Sequence, residues 1–108
     1  MATPYKPNDP QWTADLAMAS SILGTPAKTR ILRYLASTED GASRGAIAAA
    51  TEIGGSLSRI LRELEDSGAV TGDWPKDDRW GRSVRYRSDP ERVKYFVELW
   101  TTYALNES

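Results

Sequence analysis

A chain of 108 residues that is 40% apolar and 27% charged suits one soluble domain with a single core. It holds neither cysteine nor histidine. That excludes disulfides, thiol catalysis and the usual zinc or soft-metal ligands, and it removes the commonest general base near neutral pH.

No pair of carboxylates stands apart from ordinary surface, so no enzymatic chemistry, cofactor or metal is expected. A net charge of −1 offers no global argument for a polyanionic partner. No uncharged apolar run approaches the roughly 18 residues that cross a bilayer. The opening MATPYKPNDPQW lacks the basic-then-apolar run of a signal peptide, and the expected compartment is the cytoplasm.

Residues 1–12, with three prolines and no periodicity, read as a flexible arm ahead of a single domain over 13–108. Thr13 can cap a first helix, ADLAMASSIL, that stops at Gly24. Thr25 and Pro26 then give a capping hydroxyl and a proline at the first helical position. The helix that follows, PAKTRILRYLAS, sets Ile31, Leu32 and Leu35 on one face, with Lys28, Arg30 and Arg33 mostly on the other. TEDGAS is a turn, and Ser43 can cap the short, alanine-rich helix RGAIAAAT, whose one large apolar anchor is Ile47. Such small side chains permit close helix crossing.

A fourth helix is expected from about Ser56 to Ser67, stopped by Gly68. Leu57, Ile60, Leu61 and Leu64 recur at i, i+3, i+4 and i+7, an apolar stripe. AVTGDW and SVRYRS have strand character around the polar PKDDRWGR and read as a hairpin with a longish loop. Val84 and Tyr86 would face inward there, leaving Arg85 and Arg87 outward, with Trp74 and Trp80 packed across the hairpin. Asp89 and Pro90 open a last helix. Its apolar stripe of Val93, Phe96, Val97, Trp100 and Ala104 is broadened by Tyr95, Leu99 and Tyr103. The expected fold is thus mainly α, with about five helices and a two-stranded hairpin.

Charge is unevenly placed. RWGRSVRYR, from Arg79 to Arg87, holds four arginines and no acid, while the acids gather at Glu63, Glu65, Asp66, Asp73, Asp77 and Asp78. A local basic strip on an acidic chain can still dock on phosphates.

This order of pieces, over about residues 22–100, resembles the winged helix–turn–helix transcription regulators, most closely the arsenical-repressor-like (ArsR-type) group. LGTPAKTRILRYL is similar to that family's opening and AIAAATEI to its supporting helix. SLSRILRELEDSGAV is similar to its recognition helix, and GRSVRYRSDPE to the second wing strand and the start of the final helix. Two departures stand out. The turn TEIGGSL is one residue short, with Gly54 and Gly55 in place of the common polar pair, and the metal-sensing ligands are missing.

The resemblance implies duplex-DNA binding by a homodimer on a near-palindromic site, most readily for repressor-like transcription control. In that frame Ser56, Ser58, Arg59 and Arg62 lie on the outward face of the recognition helix, where an arginine fork can meet guanine or phosphate. Arg79, Arg82 and Arg85 are the wing candidates. Arg44, Gly54, Gly55 and Lys28, with Arg30 and Arg33, are candidates for the DNA backbone.

The bland alternative for the helix arginines is i,i+4 pairing, Arg59 with Glu63 and Arg62 with Asp66. For the wing arginines it is pairing with Asp73, Asp77 and Asp78. The two glycines either answer a turn that needs positive φ or close backbone approach, or bring backbone N–H groups to a phosphate. Leu16, Tyr95, Leu99, Trp100 and Tyr103 are candidates for a dimer interface built from the first and last helices. Two rival readings share these residues: a winged helix used for protein–protein contact, and a DNA-binding accessory factor in phage or plasmid maintenance or recombination.

Overall fold

The computed structural model describes residues 7–107. Five helices form where local signals start and stop them. Helix α1 (Ala14–Leu23) begins as the Thr13 hydroxyl accepts the Leu16 N–H at 3.1 Å. Helix α2 (Pro26–Ala36) has its proline in the first turn, but the Thr25 side chain makes no capping bond. Proline's preset φ starts this helix without the expected hydroxyl cap.

Helix α3 (Arg44–Thr51) is capped by Ser43, whose hydroxyl accepts from Ala46 at 3.1 Å. Helix α4 (Leu57–Ser67) ends at Gly68, left-handed at φ 84°. Helix α5 (Pro90–Ala104) starts from Asp89, whose carboxylate accepts the Arg92 N–H at 3.1 Å. No helix among the described residues is long and apolar enough to cross a membrane.

The hairpin is part of a three-stranded antiparallel sheet. Strands β1 (Ala42–Ser43), β2 (Val70–Gly72) and β3 (Arg85–Ser88) lie in the order β1-β3-β2. Val70 pairs with Ser88 and Gly72 with Tyr86, while Ala42 pairs with Tyr86 from the other side. Two residues carry no alternation signal, so the sequence alone does not mark β1 as a strand. Gly41, at φ 79°, makes its approach possible, because a β-carbon there would lie 2.6 Å from the Tyr86 carbonyl oxygen.

Ile31, Leu35, Ile47, Leu57, Leu61, Leu64, Val70 and Phe96 fill the core. Helix α1 lies along α5 and meets α2 and α4, while α2 also meets α3, α4 and β3. Phe96 is the one fully buried residue of α5, with Val93 and Leu99 partly covered. Val97 and Trp100, expected on the same stripe, are exposed.

Of the expected flexible arm, residues 1–6 lie outside the described part. Residues 9–12 form a turn held on α5. Trp12 meets the Tyr103 ring edge-on at 5.3 Å, and the Tyr103 hydroxyl donates to Asp9 at 2.7 Å.

Candidate nucleic-acid interface

Helices α3 and α4 and the turn between them form a compact corner. The Thr51 hydroxyl, buried, donates to the Ile47 carbonyl at 2.7 Å and closes α3 from within. Glu52 then takes the left-handed conformation, φ 59° and ψ 22°, and its N–H reaches the Ala48 carbonyl at 2.8 Å. The reversal that glycine was expected to supply is therefore made by Glu52. Gly54 and Gly55 are not left-handed, and a β-carbon on either would meet nothing within 4 Å. The fold requires neither glycine for a positive φ nor for close internal packing. Arg44, at the head of α3, donates from Nε to the Ser58 hydroxyl at 2.8 Å and ties the two helices across their outer side.

On α4, Leu57, Ile60, Leu61 and Leu64 are buried, while Ser56, Ser58, Arg59 and Arg62 are exposed. The acids of this helix are engaged in ion pairs. Glu63 lies 3.1 Å from both Lys28 and Arg59, Glu65 holds Arg79, and Asp66 pairs with Lys76. The Arg62–Asp66 pair does not form; among the described residues Arg62 makes no ion pair.

The hairpin differs from expectation at its base and at its tip. Arg79, expected to reach outward, turns back. Its two terminal nitrogens donate to the two Glu65 oxygens at 2.8 and 2.7 Å, and Nε donates to the Trp74 carbonyl at 2.9 Å. The Glu65 side chain is only 8% exposed, and its hydrogen bonds push the Arg79 guanidinium above its ordinary pKa. Three of its five N–H donors are thereby engaged, which pins the guanidinium to α4.

Arg82 lies over the Trp74 ring at 3.9 Å, with Asp78 at 3.7 Å. The Arg85 side chain is exposed and donates to the Gly41 carbonyl at 3.2 Å. Trp80, expected to pack across the hairpin, is 99% exposed beside the left-handed Gly81. Its indole finds no apolar neighbour because the loop around it is polar. Between α4 and the hairpin base runs a groove of about 470 Å³, bordered by Arg44, Ser58, Arg62, Lys76 and Arg79.

Lys28, expected to face outward, is buried between helices, paired with Glu63 and donating to the Ser21 hydroxyl at 2.9 Å. It is unsuited to a backbone contact. Arg30 and Arg33 are exposed on α2. Of the interface candidates, Leu16 is buried within the chain itself, and Leu99 and Tyr103 are half-buried. Tyr95 and Trp100 lie at the surface together with Val97 and Leu105. The Tyr95 hydroxyl donates to Asp15 at 2.6 Å, fixing α5 to α1.

A supporting helix, an outward helix and a strand-bounded loop beside it is the arrangement that comparison with known proteins bears on. No protein-family model and no curated protein matches the chain. A solved structure of a MarR-family transcriptional regulator from Silicibacter pomeroyi does, with a TM-score of 0.55 and 29% identity. The match covers 82% of this chain and 58% of that one. The chain is a winged helix. Helix α4 is the second helix of the helix–turn–helix and residues 73–84 form the wing loop. The likeness is to a MarR-family protein and does not single out the arsenical-repressor-like group.

Sequence reasoning missed Glu65, Lys76 and Gly72 as parts of this site. Gly72 lies against Arg79, and any β-carbon there would collide with the guanidinium. The one available signal was charge complementarity between the acidic end of α4 and the basic hairpin. It foretells attraction without choosing partners.

Proposed function

We propose that the winged helix binds duplex DNA sequence-specifically and regulates transcription, repressor-like, as a homodimer in the cytoplasm without enzymatic activity. The carrying observation is the outward face of α4. It offers Ser56, Ser58, Arg59 and Arg62 to solvent, while Glu63, Glu65 and Asp66 are occupied by cations. A negative chain can then present a locally positive surface to a polyanion. Arginine suits the task because its fork fits the guanine edge or a phosphate. Arg44 borders the same groove. Arg82 and Arg85 supply wing contacts in this reading, with Arg79 fixing the wing rather than touching DNA. The motifs over residues 22–100 keep the arsenical-repressor-like group within the proposal.

The dimer rests on the exposed Val97 and Trp100 on one flank of α5, with Tyr95 on its other flank and Leu105 just past its end. Aromatic anchors of this kind dominate protein interfaces. A two-fold axis would set two recognition helices about one helical turn apart on a near-palindromic site.

Selection of bound sequences from random duplex DNA, followed by affinity measured against salt, tests the reading. The expected result is enrichment of two related half-sites and a steep fall of affinity with salt, with Arg62→Ala reducing the slope by about 1 if that residue meets phosphate. A slope near zero, unchanged by Arg59→Ala and Arg82→Ala, would overturn DNA binding and favour a protein partner for the same face.

A further inference from the structure

Glu63 is shared between two cations of very different surroundings. Its Oε1 lies 3.1 Å from Lys28 Nζ on α2, and its Oε2 lies 3.1 Å from Arg59 Nη1, one turn back on α4. Lys28 Nζ also donates to Ser21 on α1, so three helices meet at this carboxylate. The junction borders a cavity of about 420 Å³ walled by Ala17, Met18 and Ile22. Asp66 also faces it and is paired with Lys76.

The two contacts differ in how easily they break. The Lys28 side chain is 7% exposed and that of Arg59 is 62% exposed. Removing the carboxylate from a buried ammonium leaves an uncompensated charge, which is strongly unfavourable. An exposed i,i+4 pair contributes little and exchanges readily with water. Glu63 therefore stays with Lys28 while Arg59 can leave. The Glu63 carboxyl is held below its ordinary pKa, first by the Lys28 hydrogen bond and only then by Arg59.

We propose that Glu63 is a positioning residue for recognition: anchored by Lys28, it parks Arg59 in one presentation and makes it give up a carboxylate before it binds anything else. A single loose phosphate contact replaces that carboxylate poorly, whereas a bidentate guanine edge replaces it well. The pair thereby discriminates against non-specific duplex. This rests on the DNA-binding reading given above.

The test is a double-mutant cycle on the full chain with Glu63→Gln, Arg59→Ala and the two combined, each checked for a native unfolding transition. Should the stranded Lys28 ammonium unfold Glu63→Gln, the cycle is run in a Lys28→Met background that removes the charge. Affinities are measured for a selected site and for a random duplex of equal length. Expected is a specificity ratio lowered about twofold by Glu63→Gln, through tighter random-duplex binding, and no such change in the Arg59→Ala background. Equal effects in both backgrounds would mean that Glu63 acts as a bare charge and would overturn the proposal.

A DNA-free arm follows the Glu63 carboxyl by NMR titration. Its pKa should rise more in Lys28→Met than in Arg59→Ala, and an ordinary value in the unmodified chain would overturn the clamp. If Lys28→Met does not fold, the titrations of the unmodified chain and of Arg59→Ala decide that arm. A normal clamp titration with no salt-dependent DNA binding would instead defeat the DNA reading, and the discriminating role with it.

Discussion

Arg79 and Glu65 face each other fork to fork, with paired N–O distances of 2.8 and 2.7 Å, and so bolt the base of the wing to α4. The pair is mostly shielded from water. The residues stand 14 positions apart, on either side of β2. The contact fixes the wing relative to α4 and commits three of the five Arg79 donors to the protein itself.

Arg79→Ala should accordingly lower stability by about 2–4 kcal/mol, because it strands a largely buried carboxylate. Gly72→Ala should act in the same direction by about 1–3 kcal/mol, since its new methyl is driven into the guanidinium. Urea unfolding of both variants checks this. A loss below about 0.5 kcal/mol in Arg79→Ala would show that the fork does not hold the wing.

The glycine pair invites a substitution with two separable readouts. Gly54→Ala and Gly55→Ala meet open space and no left-handed φ, so stability should hold or rise by about 0.4–1 kcal/mol. Glu52→Gly should also stabilise slightly, because the left-handed residue of the turn is Glu52. If the glycines bring the backbone to a phosphate, the alanine variants will keep their unfolding midpoint and lose DNA affinity. Unchanged affinity would leave them as turn residues only.

The two surface tryptophans should respond differently. Trp80 is wholly exposed, so Trp80→Ala should change stability by no more than about 0.5 kcal/mol. A larger loss, read from the thermal midpoint, would mean that the indole packs on the wing after all. Trp100→Glu, at the exposed flank of α5, should convert a dimer to a monomer at micromolar concentration, read by sedimentation. An unmodified chain that already sediments as a monomer would remove the dimer.

Acid should weaken the fold through identified carboxylates. Glu63 is held below its ordinary 4.5 by Lys28, and Asp9 below 3.8, chiefly by the Tyr103 hydroxyl. A carboxyl whose native pKa is depressed contributes stability above its unfolded value and loses it as pH falls through the native one. Unfolding free energy should therefore decline below about pH 4.5, with a shallower decline in Lys28→Met. Tyr95 works in the opposite sense. Its hydrogen bond to Asp15 raises its pKa above 10, so that contribution persists below pH 10 and fades as pH climbs through the raised value. Denaturant midpoints across pH measure both limbs, and a flat acid limb would contradict the first.

Much of the fold could be read from the chain because its signals are local. Thr13, Ser43 and Asp89 cap helices through bonds to residues three positions on, and Gly68 ends α4 where it was expected to. The stripe of Leu57, Ile60, Leu61 and Leu64 marked the buried side of α4, and by subtraction its outward serines and arginines. The two-residue strand β1 was not legible, since its pairing is with β3, over 40 residues away.

By itself, then, the sequence determined the helices, the caps at Thr13, Ser43 and Asp89, the inward face of α4 and the uneven placing of charge. Each depends on spacings of a few residues, which covalent geometry and hydrogen-bond reach make predictable. Only the tertiary structure decided which cations remain available. Lys28 is buried against Glu63, 35 positions away by number, and Arg79 is folded back onto Glu65, while Arg62 stays open and Trp80 is left in water. Opposite charges attract at any sequence separation, so the winning pair is chosen by packing, which sets which side chains come within reach and which lose their water.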